Sequence, residues 1–380
     1  VNELRDWIVE QIRVRGPVTF ARYMEWALYH PEWGYYTSDR RKIGKEGDFY
    51  TAPSINPVFA EVLADEIAGK GGSARVVIEF GGGEGRLARD MLSRWASEHR
   101  AFYEQLTYSI VEISPALRQI QRELVGEHVE KVRWVTEQEL QAEANLGTPR
   151  LTSSTGAGDA RLRGVHGVIV TNELVDAYPV HRVTRTTDGL REIYVTADLQ
   201  EQYGPLSDPA LETYVQTYAP GMIVGQTIEV NLAGLAWYER SLQLLSSGQI
   251  LTIDYGYEAD MLHHLSRRSG TLRGFYRHTL TDDPYQHIGQ QDLTADVNFS
   301  ALRDVGESGG WHTDFFGSQA QYLLQSGILN RLTNAWSADP FRDPDMKRNR
   351  AIKSLILPGG LGEHFKVLVQ SSPNLYNKTE

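Results

Sequence analysis

The stretch Val76-Val77-Ile78-Glu79-Phe80-Gly81-Gly82-Gly83-Glu84-Gly85-Arg86 decides the architecture. The apolar, β-branched run up to Ile78 predicts a strand buried on both faces, as in a parallel sheet. The glycines after it permit a tight turn with positive φ, and a helix is expected to open near Glu84. In such a turn the backbone N–H groups can approach a ligand closely, because no Cβ stands in the way. Two familiar loops are excluded by spacing. Arg86 stands where G-x-G-x-x-G requires its third glycine, and no G-x-x-x-x-G-K-[ST] phosphate loop occurs in the chain.

Around this stretch lie 380 residues, enough for one large core with a substantial elaboration or for two domains. There are 38 Lys and Arg against 49 Asp and Glu, a formal net charge of -11, so a general grip on nucleic acid through phosphate contacts is disfavoured. The absence of cysteine removes disulfides, thiolate metal sites and a cysteine nucleophile. No apolar run reaches the ~18 residues of a membrane span, and the start, Val1-Asn2-Glu3-Leu4-Arg5, lacks a signal-peptide core. A cytoplasmic protein is therefore expected.

Leu4, Trp7, Ile8 and Ile12 recur at helical spacing, Gly16-Pro17 stops that helix, and Thr19 is placed to cap a second one that His30-Pro31 ends. The aromatic and glycine-bearing text from Glu32 to Ser54, which includes Asp48, suits either a lid or a wall packed on the core. After the glycine turn, Leu87, Met91, Leu92 and Trp95 mark a helix on the sheet. Tyr108 to Ile113 reads as a second strand bearing Glu112 at its end, and Ser114-Pro115 opens the next helix. In doubly wound α/β folds an acid at this place binds ribose hydroxyls.

Val132 to Val135 is a short third strand, Gly147 to Arg163 a surface loop, and Val165 to Val170 a fourth strand. That strand runs into Asn172, Glu173 and Asp176, beyond a carboxyl end, where a substrate would meet a cofactor; capping the next helix is the other role open to Asn172. Thr187-Asp188-Gly189 signals a hairpin, Leu199 to Ile228 reads as mostly irregular, and Gly248 to Asp254 is another buried strand. Asp292 to Phe299 reads as the capping start of a helix, and Phe365 to Val369 as a closing strand. No His-Glu-x-x-His metal motif and no G-x-S-x-G elbow occurs. The chemistry left is a cofactor crevice with a carboxylate-rich acceptor side. Glu173 and Asp176 suit an arginine guanidinium, whereas an amide or base nitrogen would use Asn172 as acceptor; both stay open.

A resemblance narrows the function. Glu79, Gly81, Gly83 and Gly85 form the E-x-G-x-G-x-G pattern of the first motif in S-adenosylmethionine-dependent methyltransferases. In order along the chain stand Gly47 to Pro53, the glycine turn, Val111 to Arg118, Asn172-Glu173 with Asp176-Ala177 and Pro179, Asp254-Tyr255-Gly256, Asp292-Leu293-Thr294 and Phe365 to Leu368. Over roughly residues 4 to 370 the chain resembles the MidA-like family, which includes the mitochondrial arginine methyltransferase that assists assembly of respiratory complex I. The resemblance implies an α/β fold: a Rossmann-like class I methyltransferase sheet with helices on both faces. Residues 71–179 and 226–370 would form that core, with a helical and lid segment at 1–70 and a substrate-side β-rich insertion at 180–225.

It further implies S-adenosyl-L-methionine as cofactor and, for the mitochondrial branch, a protein arginine as acceptor, with a respiratory-complex subunit as partner; no metal is expected, since no metal motif occurs. Gly81, Gly83 and Gly85 would cradle the cofactor's amino-acid end, with Glu79 supporting the loop or reaching the amino group through water. Glu112 would bind the ribose, Asp48 would belong to the covering segment, and Glu173, Asp176 and Asn172 would form the acceptor side. The chain departs from the family pattern at Gly82, where proline is common, at Ser54, where an acid often follows the proline, and at Asp296, where many members have histidine. The last two bear on the acceptor. A methyltransferase for a small molecule or another nitrogen, and a non-catalytic assembly factor, are the rival readings.

Overall fold

A computed structural model of the chain describes residues 2–38, 56–70, 75–146, 166–277, 279–334, 339, 342–359, 361–373 and 375. The Gly147 to Arg163 stretch, Asp48 and Ser54 lie outside the described residues. The chain folds into two units, each assembled from separated segments. One comprises Val1–Phe49, Leu174–Tyr238 and Tyr255–Val305, and the other Tyr50–Glu173, Glu239–Asp254 and Gly306–Glu380.

The second of these holds the large sheet. Its strands are β1 (Val76–Phe80), β2 (Thr107–Val111), β3 (Val132–Val135), β4 (His166–Asn172), β5 (Ser247–Tyr257), β6 (His312–Ser318) and β7 (Phe365–Ser371), in the order β3-β2-β1-β4-β5-β7-β6. Residues Tyr255 to Tyr257 of β5 belong to the other unit. The pairs β1–β2, β1–β4, β2–β3 and β4–β5 are parallel, whereas β6 and β7 run antiparallel. All five residues of β1 are buried, so it has a layer on each face, and Glu79 is the one charged side chain in it. The fold is thus the mixed α/β class expected, with a mostly parallel central sheet.

Helices cover this sheet for local reasons. The helix Arg86–Glu98 buries Leu87, Met91, Leu92 and Trp95, and the Trp95 indole donates to the Ala64 carbonyl at 2.8 Å in the helix Val58–Lys70. Helix Pro115–Val125 starts as its sequence requires: the Ser114 hydroxyl accepts from the Leu117 N–H at 3.3 Å, and proline occupies the first turn. Asp65 gathers three partners, accepting from Arg94 Nε at 2.8 Å and Nη2 at 3.0 Å, bonding His99 Nε2 at 2.8 Å, and pairing with Arg331. Beside it Arg348 pairs with Glu61.

The other unit is built on antiparallel pairing. Strands Val18–Thr19, His181–Thr186, Gly189–Val195, Glu201–Gly204 and Thr227–Val230 form one sheet, and Arg273–Tyr276, Thr279–Thr281 and Asp292–Thr294 a smaller one. Helices Glu3–Arg15 and Phe20–Tyr29 contribute Leu4, Ile8, Ile12, Phe20, Tyr23 and Met24 to its core. The expected hairpin is present, with Thr186 paired to Gly189 at φ 110°. The stretch from Leu199 to Ile228 is not irregular as expected. Asp208 caps a helix, Pro209–Tyr218, which buries Leu211, Tyr214 and Val215, so Ser-Asp-Pro there is a helix start rather than a loop. Asp292 to Asn298 holds two short strands, and the helix begins only at Phe299. Among the described residues no helix is long and apolar enough to cross a membrane.

Burial works against the charge on Asp65, but the hydrogen bonds from Arg94, Arg331 and His99 outweigh it and hold the carboxyl well below the usual carboxylate range. A depressed folded value favours folding fully above the unfolded carboxylate value of about 4, and that contribution is lost as pH falls through the folded value. Asp65→Asn is expected to lower the urea midpoint at pH 7 by an amount equivalent to about 1–2 kcal/mol, and by progressively less in acid. Urea titrations across pH check this, and an unchanged midpoint at pH 7 would refute the role.

Candidate functional site

Strand register carries three of the expected groups to one edge of the sheet. Phe80 lies opposite Val111 on one side and Thr171 on the other, so Gly81, Glu112 and Asn172 each follow one residue later at a common carboxyl edge. The Gly81 N–H donates to the Val111 carbonyl at 3.0 Å, and the Glu173 N–H to the Ile253 carbonyl at 2.9 Å. From β1 the chain winds one way into β2 and β3 and the other way into β4 and β5. Doubly wound sheets take their ligands outside the strand ends at such a reversal.

The turn itself requires glycine. Gly81, Gly83 and Gly85 have φ of 68°, 51° and 90°, a region that a Cβ makes costly. Gly85 also caps the helix Arg86–Glu98 and supplies no side-chain bond to its first turn. Donors and the positive end of the helix dipole are therefore presented together, which suits a ligand carboxylate.

Two acids flank the turn. Glu79 is 3% exposed and accepts from the Tyr108 hydroxyl at 2.8 Å. Burial raises its carboxyl, the Tyr108 bond opposes this, and the charge of Glu112 adds to it, leaving the group at about 7. Glu112 accepts from the Ser114 N–H at 2.8 Å and from the Gln121 amide at 3.2 Å. Gln121 Nε2 also donates to the Gly83 carbonyl at 2.8 Å, and its Oε1 accepts from the Trp134 indole at 2.9 Å. One fully buried amide thus ties the glycine turn to the acid. Sequence reading missed Gln121. Gln121 and Val125 are the buried residues of their helix, and an amide on a buried face needs partners, but burial of that face shows only once the helix is packed.

At the end of β4, the Asn172 amide donates to Glu173 Oε1 at 3.0 Å, while Asn172 Oδ1 is buried with no hydrogen-bond partner among the described residues. Such an acceptor costs about 1–3 kcal/mol until a donor arrives. Asn172 does not cap the next turn. Glu173 has φ 54°, a left-handed conformation that a non-glycine residue adopts at a cost and that collects at ligand sites.

Asp176 belongs to the other unit, in the short turn Val175–Ala177, and is 5% exposed. There the Tyr36 hydroxyl donates to Asp292 Oδ1 at 2.7 Å and the Tyr29 hydroxyl to the Ala177 carbonyl at 2.9 Å, with the two rings stacked at 5.4 Å. Burial first, and then the charges of Asp292 and, more weakly, Asp176, push the Tyr36 phenol well above its ordinary value. Sequence reading did not bring Tyr36 and Asp292 together, because 256 residues separate them. Asp48 cannot be placed with either group, lying outside the described residues. Among the described residues no three His, Asp or Glu side chains could hold a metal ion.

Residues 58–317 match the model of a family described as S-adenosyl-L-methionine-dependent methyltransferases. The mitochondrial protein arginine methyltransferase NDUFAF7 of Rattus norvegicus is 30% identical over 96% of this chain and 83% of its own length. The Homo sapiens protein of that name is 29% identical over 96% of this chain and 82% of its own. A Burkholderia thailandensis crystal structure with S-adenosyl-homocysteine bound superposes with a TM-score of 0.81 at 30% identity, covering 97% of this chain and 92% of that one. The resemblance drawn from the ordered motifs is borne out. The expectation of a cytoplasmic protein is corrected, since these curated relatives are named as mitochondrial. A compartment is addressed by a targeting segment that a receptor reads, and neither the composition of a folded domain nor its lack of cysteine carries that address.

Glu79 generates a test. Its raised folded value favours folding fully below the unfolded value, and that contribution is lost as pH rises through about 7. Glu79→Gln is expected to flatten the decline in stability between about pH 5 and about pH 8, an effect of up to roughly 3 kcal/mol. Urea midpoints for both proteins measure it; parallel curves would show that Glu79 does not titrate in this range.

Proposed function

Because the chain belongs to the S-adenosyl-L-methionine-dependent methyltransferase family that includes the protein arginine methyltransferase NDUFAF7, we propose that it methylates an arginine side chain of a partner protein. The residues of the carboxyl edge fit the cofactor. The helix N-terminus at Gly85, which has no side-chain cap bond, suits its carboxylate, Asn172 Oδ1 is an acceptor suited to its ammonium, and Glu112 lies one residue past β2, where a ribose diol would be held. When bound, S-adenosyl-L-methionine supplies a methyl group on a sulfonium, an electrophile that carries its own leaving group.

The chain's own part is to bind, align and manage a proton. Gln121 holds the Gly83 carbonyl and the Glu112 carboxylate in one arrangement, so the turn and the ribose acid are set before any ligand enters. Glu173 carries the acceptor reading. Its backbone is held left-handed at the strand end, and its Oε1 is already engaged by Asn172, which orients the carboxylate. Against that carboxylate a guanidinium would be gripped by charge-assisted hydrogen bonds, and the proton shed by the methylated nitrogen would pass to Glu173. Asp176 is assigned to the acceptor side by its place in the chain, three residues after Glu173. A respiratory-complex subunit is the candidate partner protein.

Calorimetric titration with S-adenosyl-L-methionine and S-adenosyl-homocysteine tests the cofactor roles, and mass spectrometry of partner proteins tests the acceptor. Glu112→Ala is expected to weaken cofactor binding about tenfold or more, the scale of one or two lost charge-assisted hydrogen bonds. Glu173→Gln should leave that affinity unchanged and slow single-turnover methylation by about 100-fold or more. Equal affinity in Glu112→Ala would remove the ribose assignment, and transfer at the normal rate by Glu173→Gln would remove the acceptor assignment.

A further inference from the structure

Two segments of the antiparallel-sheet unit meet at its surface and turn apolar side chains outward. The first is a turn, closed by the Gln226 N–H donating to the Ile223 carbonyl at 3.0 Å, with Gly225 at φ 81°. The second runs through the short helix Ala259–Leu262 and the turn Leu265–Arg267. The fully buried Gln226 amide ties them together, accepting from the Ile223 N–H at 3.2 Å and donating to the His263 carbonyl at 2.8 Å. Arg268 adds a second clamp, its Nη2 donating to the Val224 carbonyl at 2.9 Å, and a Cβ on Gly225 would stand 2.6 Å from that nitrogen. Each segment buries an anchor of its own, Met222 in one and Leu262 in the other. The apolar residues near those anchors are left outside: Ile223 is 42% exposed, Val224 51%, Met261 51% and Leu265 52%.

Turn tips ordinarily carry Gly, Pro, Asn, Asp or Ser, so Ile223 and Val224 expose hydrocarbon that the turn geometry does not require. Charge accompanies it. Arg267 and Arg268 spend their hydrogen bonds on neutral carbonyls, Arg267 Nη1 on Met261 at 2.7 Å and Arg268 Nε on Gly225 at 3.3 Å, and neither pairs with an acid among the described residues. Of the neighbouring acids, Glu258 pairs with Arg303, and Asp260 accepts from the Met261 N–H at 2.8 Å. A locally cationic, apolar ridge thus stands on a chain whose formal net charge is -11. The complement of such a ridge is anionic and apolar at once. Protein interfaces centre on aromatic anchors, whereas the exposed large apolar side chains of these two segments include no aromatic ring. An anionic bilayer offers both properties: phosphates for the guanidinium groups and, beneath them, an acyl boundary that apolar side chains enter to about 5–10 Å.

We propose that this ridge docks the protein on an anionic lipid surface, with Ile223, Val224, Met261 and Leu265 entering the acyl boundary and Arg267 and Arg268 meeting lipid phosphates. The docking is independent of the methyl acceptor. Its test is flotation of the full chain with vesicles of phosphatidylcholine and phosphatidylglycerol in equal parts, and with vesicles of phosphatidylcholine alone. Half of the protein is expected to float with the anionic vesicles below about 1 mM lipid at about 0.1 M salt, and the neutral vesicles should require about tenfold more lipid or worse. Val224→Asp and Leu265→Asp should each weaken binding about tenfold, and Arg268→Gln about fivefold with a shallower salt dependence. Because the chain has no cysteine, Val224→Cys can carry a single environment-sensitive fluorophore, whose emission should shift to the blue on anionic vesicles. The same label on Val14→Cys, an exposed position of the helix Glu3–Arg15, should not shift. The proposal is overturned if the protein does not float, if the two vesicle types bind equally, or if the two labels respond alike. Retention on poly-glutamate without vesicle binding would assign the ridge to an acidic polypeptide and overturn it as well.

Discussion

The parallel ladder through β2, β1, β4 and β5 is the constraint on which the site depends. Each strand is in register with its neighbour up to the last residue before its functional group, so Gly81, Glu112, Asn172 and Glu173 emerge together although long stretches of chain lie between them. A parallel pair cannot be closed by a short hairpin, and every step along this edge requires a crossover whose helix packs on a sheet face. The buried helix residues, Leu87, Met91 and Trp95 among them, are thus a condition for the strand ends to coincide. Packing on the sheet faces and chemistry at the sheet edge are two consequences of the same pairing.

What was legible in the sequence was local. The buried strand, the glycine turn, the Ser114-Pro115 helix start and the Thr187-Asp188-Gly189 hairpin each depend on a few adjacent residues, and each is present. The acids Glu112 and Glu173 were legible because a strand end is a position in the chain as well as in space. Gln121 was not, since its partners lie on a turn 38 residues earlier and on a strand beyond its helix. The Tyr36–Asp292 pair is a still longer link, and no periodicity announces it. The helix at Pro209–Tyr218 was misread for another reason: a proline that opens a helix and one that interrupts a loop look alike until the capping Asp208 is weighed with it.

The crevice also concentrates like charge. Glu79 and Glu112 are both nearly excluded from water; burial, with the charge of Glu112 adding to it, raises the Glu79 carboxyl to about 7. A ligand bearing positive centres would offset that repulsion. The Tyr108 bond and the Gln121 bridge supply in advance the hydrogen bonds that such buried carboxylates require.

The strand order has a consequence for how the protein is made. β7 lies between β5 and β6, yet Phe365–Ser371 leaves the ribosome after every other strand described in this sheet. Until it emerges, β5 presents an unpaired edge and β6 has no partner within the sheet. Synthesis at about 5–20 residues per second leaves that edge open for several seconds after β5 is complete. During this interval the nascent chain offers a template for pairing with another copy of itself, so chaperone cover is needed late in translation rather than early. A messenger cut short just before these codons would yield a chain in which most of the sheet is present and its open edge is permanent.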